Sequence, residues 1–492
     1  MGLGELADLI GPERVVGLPV GEVTALTYDS RRMTPASLFF AVPGVHVDGH
    51  EFVAQAVERG AIGVVTEREL PGVAVPQLVV DRTRRAMADA ADAWFGRPSQ
   101  NLEVIGVTGT DGKTTTGFLG MQVLSAGGGR PGLIGTVAQR IGDRLIRNEG
   151  RNTTPESLEL QEALARMVTA GNDSVVMEAT SHGLALERTR NCRFKVGIVT
   201  TVTSEHLEFH GTLEAYRAAK ALLVEEAPTA ILNADDESFA FFRDRSVGRV
   251  VTYAIEADAD VRARDVVVEA TGSRFEVTAR SWRGTVSLPM PGRFNVYNAL
   301  AALALAEVEG VDLAVAADAL ADDAGVPGRM QRVDVGQPFA LVVDYAHTAD
   351  SLGKVLSALR PLTRGRLIAV FGSAGERDRT KRAEMGRVGA ELADAVVVTD
   401  EDPRLEDSRV INEQIAEGAR AAGARDGENL LVIDDRRAAI ARAVMLAGEG
   451  DVILLAGKGH EHSIIYGTEH RWWDEAEVAR AALRAAGWGP RG

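Results

Sequence analysis

Cysteine is almost missing from this sequence, since Cys192 is the single one among 492 residues. One cysteine cannot form an intramolecular disulfide, and such scarcity is typical of proteins from a reducing compartment. The first residues, MGLGELADLIGPER, lack the basic stretch and apolar core of a secretory signal peptide. No apolar run approaches the roughly 18 residues that a membrane span requires. We therefore expect a cytoplasmic protein that contacts no membrane.

An excess of basic residues is also missing. Lysine and arginine number 54 against 70 aspartates and glutamates, which gives a formal net charge of −16. A protein that binds nucleic acid in bulk normally presents a basic face, so the net charge argues against this class. Anionic small substrates stay possible, because local lysines and arginines decide their binding. The hydrophobic share of 45% and the charged share of 25% are ordinary for a globular protein.

One stretch, from Val104 to Thr116, has the pattern of a loop that binds phosphate. Its apolar start, Val104 to Val107, predicts a buried strand, and the glycine-rich turn after it allows backbone N–H groups to approach an anion closely. A helix that begins at Lys113 would add the partial positive charge of its N-terminus, and a threonine hydroxyl just after the lysine can reach a Mg²⁺ ion. The loop residues expected to lie against phosphate are Gly109, Thr110, Asp111, Gly112, Lys113, Thr114 and Thr115.

The spacing departs from the common G-x-x-x-x-G-K-[ST] pattern, because Val107 stands five residues before Gly112 and Gly106 stands six before it. The alternative is a solvated turn that carries a surface lysine. The strand before the loop and the three threonines after Lys113 favour phosphate binding.

The chain divides into three predicted domains, residues 1–97, 98–327 and 328–492, as about three domains are usual for 492 residues. Short apolar strands alternate with helical stretches, which predicts an α/β fold with a central P-loop-type parallel-sheet domain and a C-terminal Rossmann-like domain. Expected strands that precede polar clusters are Val196 to Thr201, Ala340 to Asp344, Arg366 to Phe371, Ala395 to Thr399 and Val452 to Ala456. Ligands of such sheets bind beyond the carboxyl ends of the strands.

Three candidate metal-binding segments follow the loop. Glu178 ends a predicted strand, Ser174 to Glu178, and its carboxylate can reach a Mg²⁺ ion held by the loop threonine; the alternative is an ordinary strand-end acid. His206 and His210 would share one face of a helix, and a hard-cation site is favoured over zinc because no H-E-x-x-H motif is present. Lys220 alone would be read as a solvated lysine on the predicted helix Leu213 to Glu225.

Two asparagines, Asn295 and Asn298, lie three residues apart at the start of another helical stretch. On one helical face, their side chains could hydrogen-bond a base or a ribose. Helix capping is the alternative.

These motifs, in this order, resemble the Mur ligase family, the ATP-dependent amide-forming enzymes of peptidoglycan precursor synthesis, and within it the MurE type that adds a diamino acid. The resemblance covers nearly the whole chain. It rests on Asp29-Ser30-Arg31, Asp48-Gly49-His50, the loop Gly109 to Thr115, Thr153-Thr154-Pro155, Ser181-His182, Arg188, Asn295, Asn298, Gly328-Arg329, Asp344 to Thr348, Asp402-Pro403-Arg404 and Gly457 to Glu461.

The resemblance implies a role for each matching residue. The catalytic and metal-binding set is Lys113, Thr114, Glu178, His210 and Lys220, with Mg²⁺ as cofactor and Lys220 carbamylated, which replaces the reading of a solvated lysine. ATP contacts are implied for the phosphate loop, Asn295, Asn298, Arg329, Asp344 and His347. UDP-substrate contacts are implied for Ser30, Thr153, Thr154, Ser181 and Arg188, and contacts to the incoming amino acid for Arg377, Asp402, Arg404, Gly457 and Glu461.

The implied reaction activates the γ-carboxylate of UDP-N-acetylmuramoyl-L-alanyl-D-glutamate with ATP to an acyl phosphate, which the diamino acid then attacks. Lys113 and magnesium would neutralise and align the two anionic groups, and closure of the domains around the substrates is expected. A monomer without nucleic-acid or membrane partners is expected. The alternatives are a related ligase such as a folylpolyglutamate synthetase, a non-catalytic nucleotide-binding homologue, and a plain ATPase or kinase.

The identity of the diamino acid depends on a departure from the family pattern. Arg404, with Arg377, offers forked donors that suit the distal carboxylate of meso-diaminopimelate, and this acceptor is favoured over L-lysine and L-ornithine. The family motif D-N-P-R, however, reads Glu401-Asp402-Pro403-Arg404 here. With diaminopimelate, Asp402 would hold the distal ammonium while Arg404 takes the distal carboxylate; with lysine or ornithine, Asp402 would hold the ammonium. In the alternative, Glu401 or Glu406 neutralises Arg404. Other departures are Asp111, Thr180, Thr201, Glu205, Glu208 and Ala349.

Overall fold

The computed structural model describes residues 1–44, 47–148, 152–322 and 325–489. The chain separates into two compact units, Met1–Asp260 with Ala301–Asp312 and Val261–Leu300 with Leu313–Gly492. Both units combine mostly parallel sheets with helices, so the predicted α/β class is confirmed. The boundaries after residues 97 and 327 stay predictions.

The first sheet of the first unit contains five strands in the order β1-β5-β4-β3-β2. Its strands are β1 (Arg14–Val16), β2 (Ala25–Thr27), β3 (Ser37–Phe40), β4 (Ala61–Thr66) and β5 (Gln77–Val79). Strand β3 is buried along its whole length, and its side chains alternate between two apolar clusters, one containing Leu38 and Phe40, the other Phe39. Such continuous burial is typical of a strand covered on both faces.

The second sheet of this unit carries the phosphate loop. Its strands, in the order β13-β12-β11-β6-β10-β7-β8-β9, are parallel from β13 to β7 and antiparallel at the β8–β9 edge. They are β6 (Glu103–Thr108), β7 (Pro131–Ile134), β8 (Ala138–Ile141), β9 (Arg144–Arg147), β10 (Ser174–Glu178), β11 (Phe194–Val199), β12 (Thr229–Asn233) and β13 (Arg249–Ala254). Glu178 pairs with Val107, which places the carboxyl end of β10 beside the start of the loop.

The helices of the first unit cover these sheets. They are α1 (Leu3–Ile10), α2 (Val53–Glu58), α3 (Thr83–Trp94), α4 (Lys113–Ala126), α5 (Ser157–Thr169), α6 (Ser181–Ala185), α7 (Leu207–His210), α8 (Leu213–Glu226) and α9 (Phe239–Arg243), with 3₁₀ turns at Ser30–Arg32, Gly49–Phe52 and Pro98–Gln100. Helix α8 begins where the Thr212 hydroxyl accepts a hydrogen bond from the Ala215 N–H. It buries one face that includes Tyr216 and Lys220.

The second unit contains an antiparallel group of strands β14, β15 and β16, a six-stranded sheet in the order β17-β18-β22-β19-β20-β21, and a hairpin of β23 and β24. The strands are β14 (Val261–Glu269), β15 (Gly272–Thr278), β16 (Arg283–Leu288), β17 (Gln331–Arg332), β18 (Ala340–Asp344), β19 (Leu367–Phe371), β20 (Ala395–Val398), β21 (Leu430–Val432), β22 (Val452–Ala456), β23 (Ser463–Tyr466) and β24 (Glu469–Trp472). The remaining helices are α10 (Arg293–Val308), which runs across the unit boundary, α11 (Leu313–Ala321), α12 (Ala349–Leu359), α13 (Thr380–Leu392), α14 (Ser408–Ala421), α15 (Arg436–Leu446) and α16 (Glu475–Ala485), with a 3₁₀ turn at Arg360–Leu362.

In the six-stranded sheet, the neighbouring strands β18, β22, β19, β20 and β21 are parallel. Their carboxyl ends therefore meet at one edge of the sheet. A fully buried ion pair between Arg436 and Glu475 supports this edge, because Arg436 also donates to the carbonyls of Asp400, at 3.0 Å, and Ala456, at 2.7 Å. The guanidinium thus ties together the loops that follow β20 and β22.

The predicted strands Ala340 to Asp344, Val452 to Ala456 and Ser174 to Glu178 are confirmed to the residue. The strand expected at Val196 to Thr201 instead covers Phe194–Val199, because Thr200 and Thr201 already turn toward the phosphate loop. Within the described ranges, every helix is too short or too polar to cross a membrane.

Candidate functional site

The phosphate loop joins β6 to α4, and the helix begins at Lys113 as predicted. Gly109 and Gly112 have φ angles of +147° and +87°, which favour glycine. A Cβ atom on Gly109 would also lie 1.9 Å from the Thr200 hydroxyl, so the loop has room only for glycine there. Lys113 Nζ donates to the carbonyls of Gly109, at 2.9 Å, and Thr110, at 2.7 Å. The lysine charge and the helix N-terminus therefore lie together at this loop.

Glu178 binds two threonines through its carboxylate. Oε2 accepts from the hydroxyls of Thr114, at 2.9 Å, and Thr136, at 3.1 Å, while Oε1 accepts from the Thr136 N–H at 2.8 Å. A Cβ atom on Gly135 would lie 2.4 Å from Oε1, so glycine makes room for the carboxylate. The strand-end acid thus lies beside the loop threonine, as the sequence indicated. Sequence analysis missed Thr136, whose place depends on the register of β7 rather than on any local motif.

Three imidazoles cluster in the first unit. The His182 ring lies 4.8 Å from the His206 ring and 5.4 Å from the His210 ring, centroid to centroid. His206 is not on a shared helical face with His210, because α7 begins at Leu207 and His206 has a left-handed φ of +55°. Burial lowers the pKa of His182 to about 4 and also lowers the pKa of His210, with the charges of neighbouring groups such as His206 adding to the effect. Both rings are therefore neutral at pH 7, the form that binds metals.

Magnesium fits the donors at this loop. The Nε2 atom of His210 is buried and has no hydrogen-bond partner in the described part of the chain. Glu178 and Thr114 add a carboxylate and a hydroxyl, which are hard oxygen donors. No group of three or more His, Cys, Asp or Glu side chains among the described residues could hold an ion alone. This suits Mg²⁺, which commonly takes one or two carboxylates and completes its shell with water and substrate phosphates.

Lys220 is buried, with 1% of its surface exposed, so the reading of a solvated helix lysine is wrong. Its Nζ donates to the Gly109 carbonyl at 2.6 Å and lies 4.4 Å from the centre of the Tyr216 ring. Burial, together with the charge of Lys113, holds the pKa of Lys220 well below its ordinary value. The Tyr216 hydroxyl is in turn 3.0 Å from the Thr110 hydroxyl, which fixes α8 against the loop.

The residues predicted to hold the muramoyl peptide form a connected network. The Thr154 hydroxyl donates to the Glu178 carbonyl at 2.8 Å, and the Thr153 hydroxyl lies 2.9 Å from that of Thr136. Arg188 donates to the Thr154 carbonyl at 3.1 Å and pairs with Glu156 at 2.8 Å. Ser181, the first residue of α6, is buried beside this network.

Glu156 was not singled out from the sequence. Its second oxygen accepts from Arg84 of α3 at 2.7 Å, so one carboxylate links α3 to Arg188.

At a separate place in the first unit, the predicted uridine residue Ser30 is buried and its hydroxyl donates to Gln55 at 2.6 Å.

The predicted nucleoside residues of the second unit fall into two groups. Asn298 donates to the Asn295 side chain at 3.1 Å, so the two do share a helical face, and Asn295 donates to the Pro291 carbonyl at 2.8 Å. Asp344 is buried and accepts backbone N–H groups from Met330 and Ala346. Hydrogen bonds within the protein thus position the asparagine pair and Asp344.

Aromatic stacking organises the segment after β18. The Arg329 guanidinium lies 5.0 Å from the centre of the Tyr345 ring, and the His347 ring lies 4.6 Å from that ring. The Tyr345 hydroxyl donates to Glu461 at 3.3 Å. Tyr345 therefore connects the residues predicted to bind ATP with those predicted to bind the amino acid.

The acceptor residues converge on a lysine that sequence analysis missed. Lys458 Nζ donates to Asp402 Oδ1 at 2.9 Å and to Glu461 Oε2 at 2.6 Å. Gly457, with φ of +104°, lies against the carboxylate of Glu401. The signal was present in the sequence, since Lys458 stands between two predicted site residues after an apolar run.

Arg404 lies two residues after Asp402 in the loop that follows β20, and the β23–β24 hairpin fixes its backbone. Its N–H donates to the Ile465 carbonyl at 2.9 Å, and its carbonyl accepts from the Gly467 N–H at 2.7 Å. Its guanidinium forms no ion pair with any described residue, and its Nε is buried without a partner. Arg377, predicted to act beside it, is exposed and has no ion pair within the described ranges.

The alternative in which Glu406 neutralises Arg404 is wrong. Glu406 binds Arg382, at 3.0 and 3.1 Å, and Arg379, at 3.2 Å. Arg382 is fully buried, although its place in a charged helix looks like that of a surface residue. Glu401 does not serve either, because no described ion pair joins it to Arg404, and the positive charges that lower its pKa are those of Lys458, Lys381 and His347.

Family sequence profiles match three parts of this chain: "Mur ligase family, catalytic domain" at residues 22–95, "Mur ligase middle domain" at 107–306, and "Mur ligase, glutamate ligase domain" at 328–459. A UDP-N-acetylmuramyl-tripeptide synthetase of Roseiflexus sp. (strain RS-1) is 47% identical over 487 residues, or 95% of this chain and 96% of the relative. A UDP-N-acetylmuramoyl-L-alanyl-D-glutamate–2,6-diaminopimelate ligase of Geobacillus thermodenitrificans (strain NG80-2) is 43% identical, over 94% of this chain and 95% of its own.

A solved structure of a UDP-N-acetylmuramoyl-L-alanyl-D-glutamate–2,6-diaminopimelate ligase is 31% identical and has a TM-score of 0.71, over 99% of both chains. The similarity thus extends over nearly the full length of the chain. The chain therefore belongs to the Mur ligase family and has the three-domain α/β fold of that family.

Proposed function

We propose that this protein is an ATP-dependent ligase that joins a diamino acid, meso-diaminopimelate, to UDP-N-acetylmuramoyl-L-alanyl-D-glutamate in peptidoglycan precursor synthesis. Full-length similarity to relatives with this activity in their names supports the proposal. L-Lysine and L-ornithine are the other diamino acids that such an enzyme could take. We further propose that it works as a monomer in the cytosol.

The observation that supports diaminopimelate as the acceptor is the guanidinium of Arg404, which forms no ion pair with any described residue. Glu406 is committed to Arg382, and Asp402 to Lys458, so no described carboxylate neutralises Arg404. A guanidinium binds a carboxylate through two parallel hydrogen bonds, and diaminopimelate has such a group at its far end, whereas lysine and ornithine do not. We assign Arg377, Asp402, Gly457 and Glu461 to the same amino acid.

The phosphate loop would bring the two anionic reactants together. The γ-carboxylate oxygen of the D-glutamate attacks the γ-phosphorus of ATP, ADP leaves, and an acyl phosphate forms. Lys113 and the N-terminus of α4 supply positive charge where these anions meet. The amine of the diamino acid then attacks the acyl carbon, and phosphate leaves as the amide forms.

Magnesium would be held by Thr114, Glu178, His210 and carbamylated Lys220, and when bound it supplies charge neutralisation for the phosphates. The threonines keep the Glu178 carboxylate turned toward the loop. His210 offers the unpartnered Nε2 atom. Asn295, Asn298, Arg329, Asp344 and His347 would serve the nucleoside end of ATP.

Carbamylation of Lys220 is part of the proposal. A neutral lysine amine adds CO₂ and releases one proton, which leaves an anionic carbamate. Burial and the neighbouring charge of Lys113 both favour the neutral amine at position 220. The product would no longer repel Mg²⁺, and it would extend two oxygens from the place where the amine now lies.

The UDP-substrate would lie along Ser30, Thr153, Thr154, Ser181 and Arg188. The anionic muramoyl peptide would compete with Glu156 for Arg188, since that guanidinium already pairs with the glutamate. Both partners are mostly buried, so the substrate must replace an existing charge pair rather than meet a free arginine.

The proposal is tested by incubating the protein with ATP, Mg²⁺, the UDP-muramoyl dipeptide and each of three diamino acids, with products read by mass spectrometry. We expect one amide product per ADP released, with diaminopimelate used best. ATP hydrolysis without an amide product, or without dependence on the UDP-substrate, would identify a plain ATPase, and the absence of any ATP turnover would identify a non-catalytic nucleotide-binding homologue.

A further inference from the structure

Lys458 is a fully buried lysine that joins two carboxylates of the acceptor site. It follows β22, and its side chain has an exposure of 0%. Its Nζ lies 2.9 Å from Asp402 Oδ1 and 2.6 Å from Glu461 Oε2. Burial alone would lower the pKa of Lys458, but Glu461 and Asp402 raise it above its ordinary value. The amine is therefore a permanent cation between the two acids.

The β23–β24 hairpin binds the same Asp402 oxygen, Oδ1, that accepts from Lys458. Oδ1 accepts from the Ile465 N–H at 3.0 Å, and the carbonyl of Asp402 accepts from the Gly375 N–H at 2.8 Å. Asp402 thus accepts from Lys458 and from the Ile465 N–H through one oxygen, and no described ion pair joins it to Arg404. Lys458 consequently neutralises the charge of Asp402.

Glu401 does not compete strongly for the lysine. It is buried, and its Oε2 has no hydrogen-bond partner among the described residues. Burial raises the pKa of Glu401, against the effect of Lys458. The hydrogen bonds of Lys458 go to Asp402 and Glu461, and no described hydrogen bond joins the lysine to Glu401.

We infer that Lys458 decides which end group the acceptor pocket takes. By neutralising Asp402 it leaves Arg404 as the charge that a substrate must meet, so the pocket takes a diamino acid that ends in a carboxylate. Without Lys458, Asp402 and Glu461 would present two uncompensated carboxylates. They would repel the distal carboxylate of diaminopimelate, which L-lysine lacks, whereas the distal ammonium is common to both amino acids. Lys458 is a positioning residue, and this inference rests on the proposed function.

The test measures kcat/KM for meso-diaminopimelate and L-lysine in the wild type, Lys458→Met, Asp402→Asn and the double variant. We expect Lys458→Met to lower the ratio of diaminopimelate to lysine use by about 100-fold, and Asp402→Asn in that background to restore at least about tenfold of it. Restoration by a second change is not expected from a merely structural lysine. Lys195→Met is the matched control, since Lys195 also binds two carboxylates, Glu103 and Glu309, in the first unit.

Asp402→Asn alone keeps the inference testable if Lys458→Met does not fold. It leaves Lys458 with one carboxylate, so the pocket gains positive charge, and the ratio should rise by about threefold or more in favour of diaminopimelate. An unchanged or lower ratio in Asp402→Asn, or equal loss with both amino acids in Lys458→Met, would overturn the inference. A wild type that prefers lysine would instead overturn the proposed acceptor, which is a separate failure.

Discussion

Lys113 and Lys220 donate hydrogen bonds to the same atom, the carbonyl oxygen of Gly109, at 2.9 and 2.6 Å. Two ammonium groups on one acceptor repel each other, and Lys220 is the more deeply buried of the two. The lowered pKa of Lys220 follows from this geometry. Burial and the charge of Lys113 thus favour the neutral amine at Lys220.

Lys113→Ala should abolish ligation and leave affinity for the UDP-substrate within about threefold of wild type, because the lysine serves phosphate transfer and not the uridine end. Ligation is followed by mass spectrometry, and binding by calorimetry. Lys195→Ala provides the control for loss of one positive charge. Equal loss of UDP-substrate affinity in Lys113→Ala would contradict the assignment.

Lys220→Ala should lose most ligase activity, and a short carboxylic acid at high concentration should restore part of it by replacing the carbamate. In the wild type, ¹³C-labelled bicarbonate should produce a carbamate signal in the NMR spectrum that the variant lacks. Carbamylation should increase with pH as more Lys220 amine becomes neutral, and the lowered pKa of Lys220 favours that form. Full activity of Lys220→Ala without any additive would refute the role.

The phosphate loop and Glu178 were predictable because each depends on a local pattern, a strand followed by a glycine-rich turn or by an acid. Thr136 and Glu156 were not, since their partners lie far away in sequence. The sequence placed Lys458 among predicted site residues but gave no sign of its partner Asp402. Lys458 meets Asp402, 56 residues earlier, only through the pairing of β22 in the sheet.

Predictions about individual charged residues failed for the same reason. Lys220 lies in an alanine- and leucine-rich helix and Arg382 in a charged one, and sequence alone gives no sign that the faces that carry them are buried. The role of Glu406 was open in the sequence, because its partner Arg382 is 24 residues away. Charge pairs of this kind are set by packing rather than by spacing.

Glu406→Gln should destabilise the protein at pH 7 by about 3 kcal/mol, because Arg382 would remain a buried cation without its partner. Hydrogen bonds from Arg382 lower the pKa of Glu406 from the ordinary 4.5 to about 2. The stability from this pair is therefore complete above pH 4.5 and is lost as the pH falls toward 2.

Urea unfolding at several pH values tests this prediction. The difference between wild type and Glu406→Gln should shrink as the pH falls from 4.5 toward 2, since wild-type Glu406 then becomes protonated. The control is Glu469→Gln, which removes an exposed partner of Arg471. A difference that is independent of pH would show that the Glu406 charge is not what stabilises the fold.

Arg404→Ala should lower kcat/KM for meso-diaminopimelate by about 100-fold, or about 2.7 kcal/mol, while use of L-lysine changes little. The reason is that Arg404 has no ion pair among the described residues, so its guanidinium is available to a substrate carboxylate. Arg404→Lys keeps the charge but loses the two parallel donors, and an intermediate loss of about tenfold is expected.

Arg409→Ala is the matched control for Arg404, because Arg409 is an exposed arginine in the same segment that meets Asp434 only at 3.8 Å. It should leave the preference between the amino acids unchanged. Equal losses with diaminopimelate and lysine in Arg404→Ala would show that the arginine supports the loop rather than the distal carboxylate. A wild-type preference for lysine or ornithine by more than about tenfold, roughly 1.4 kcal/mol, would assign the free guanidinium to another group and make Asp402 the residue that reads the acceptor.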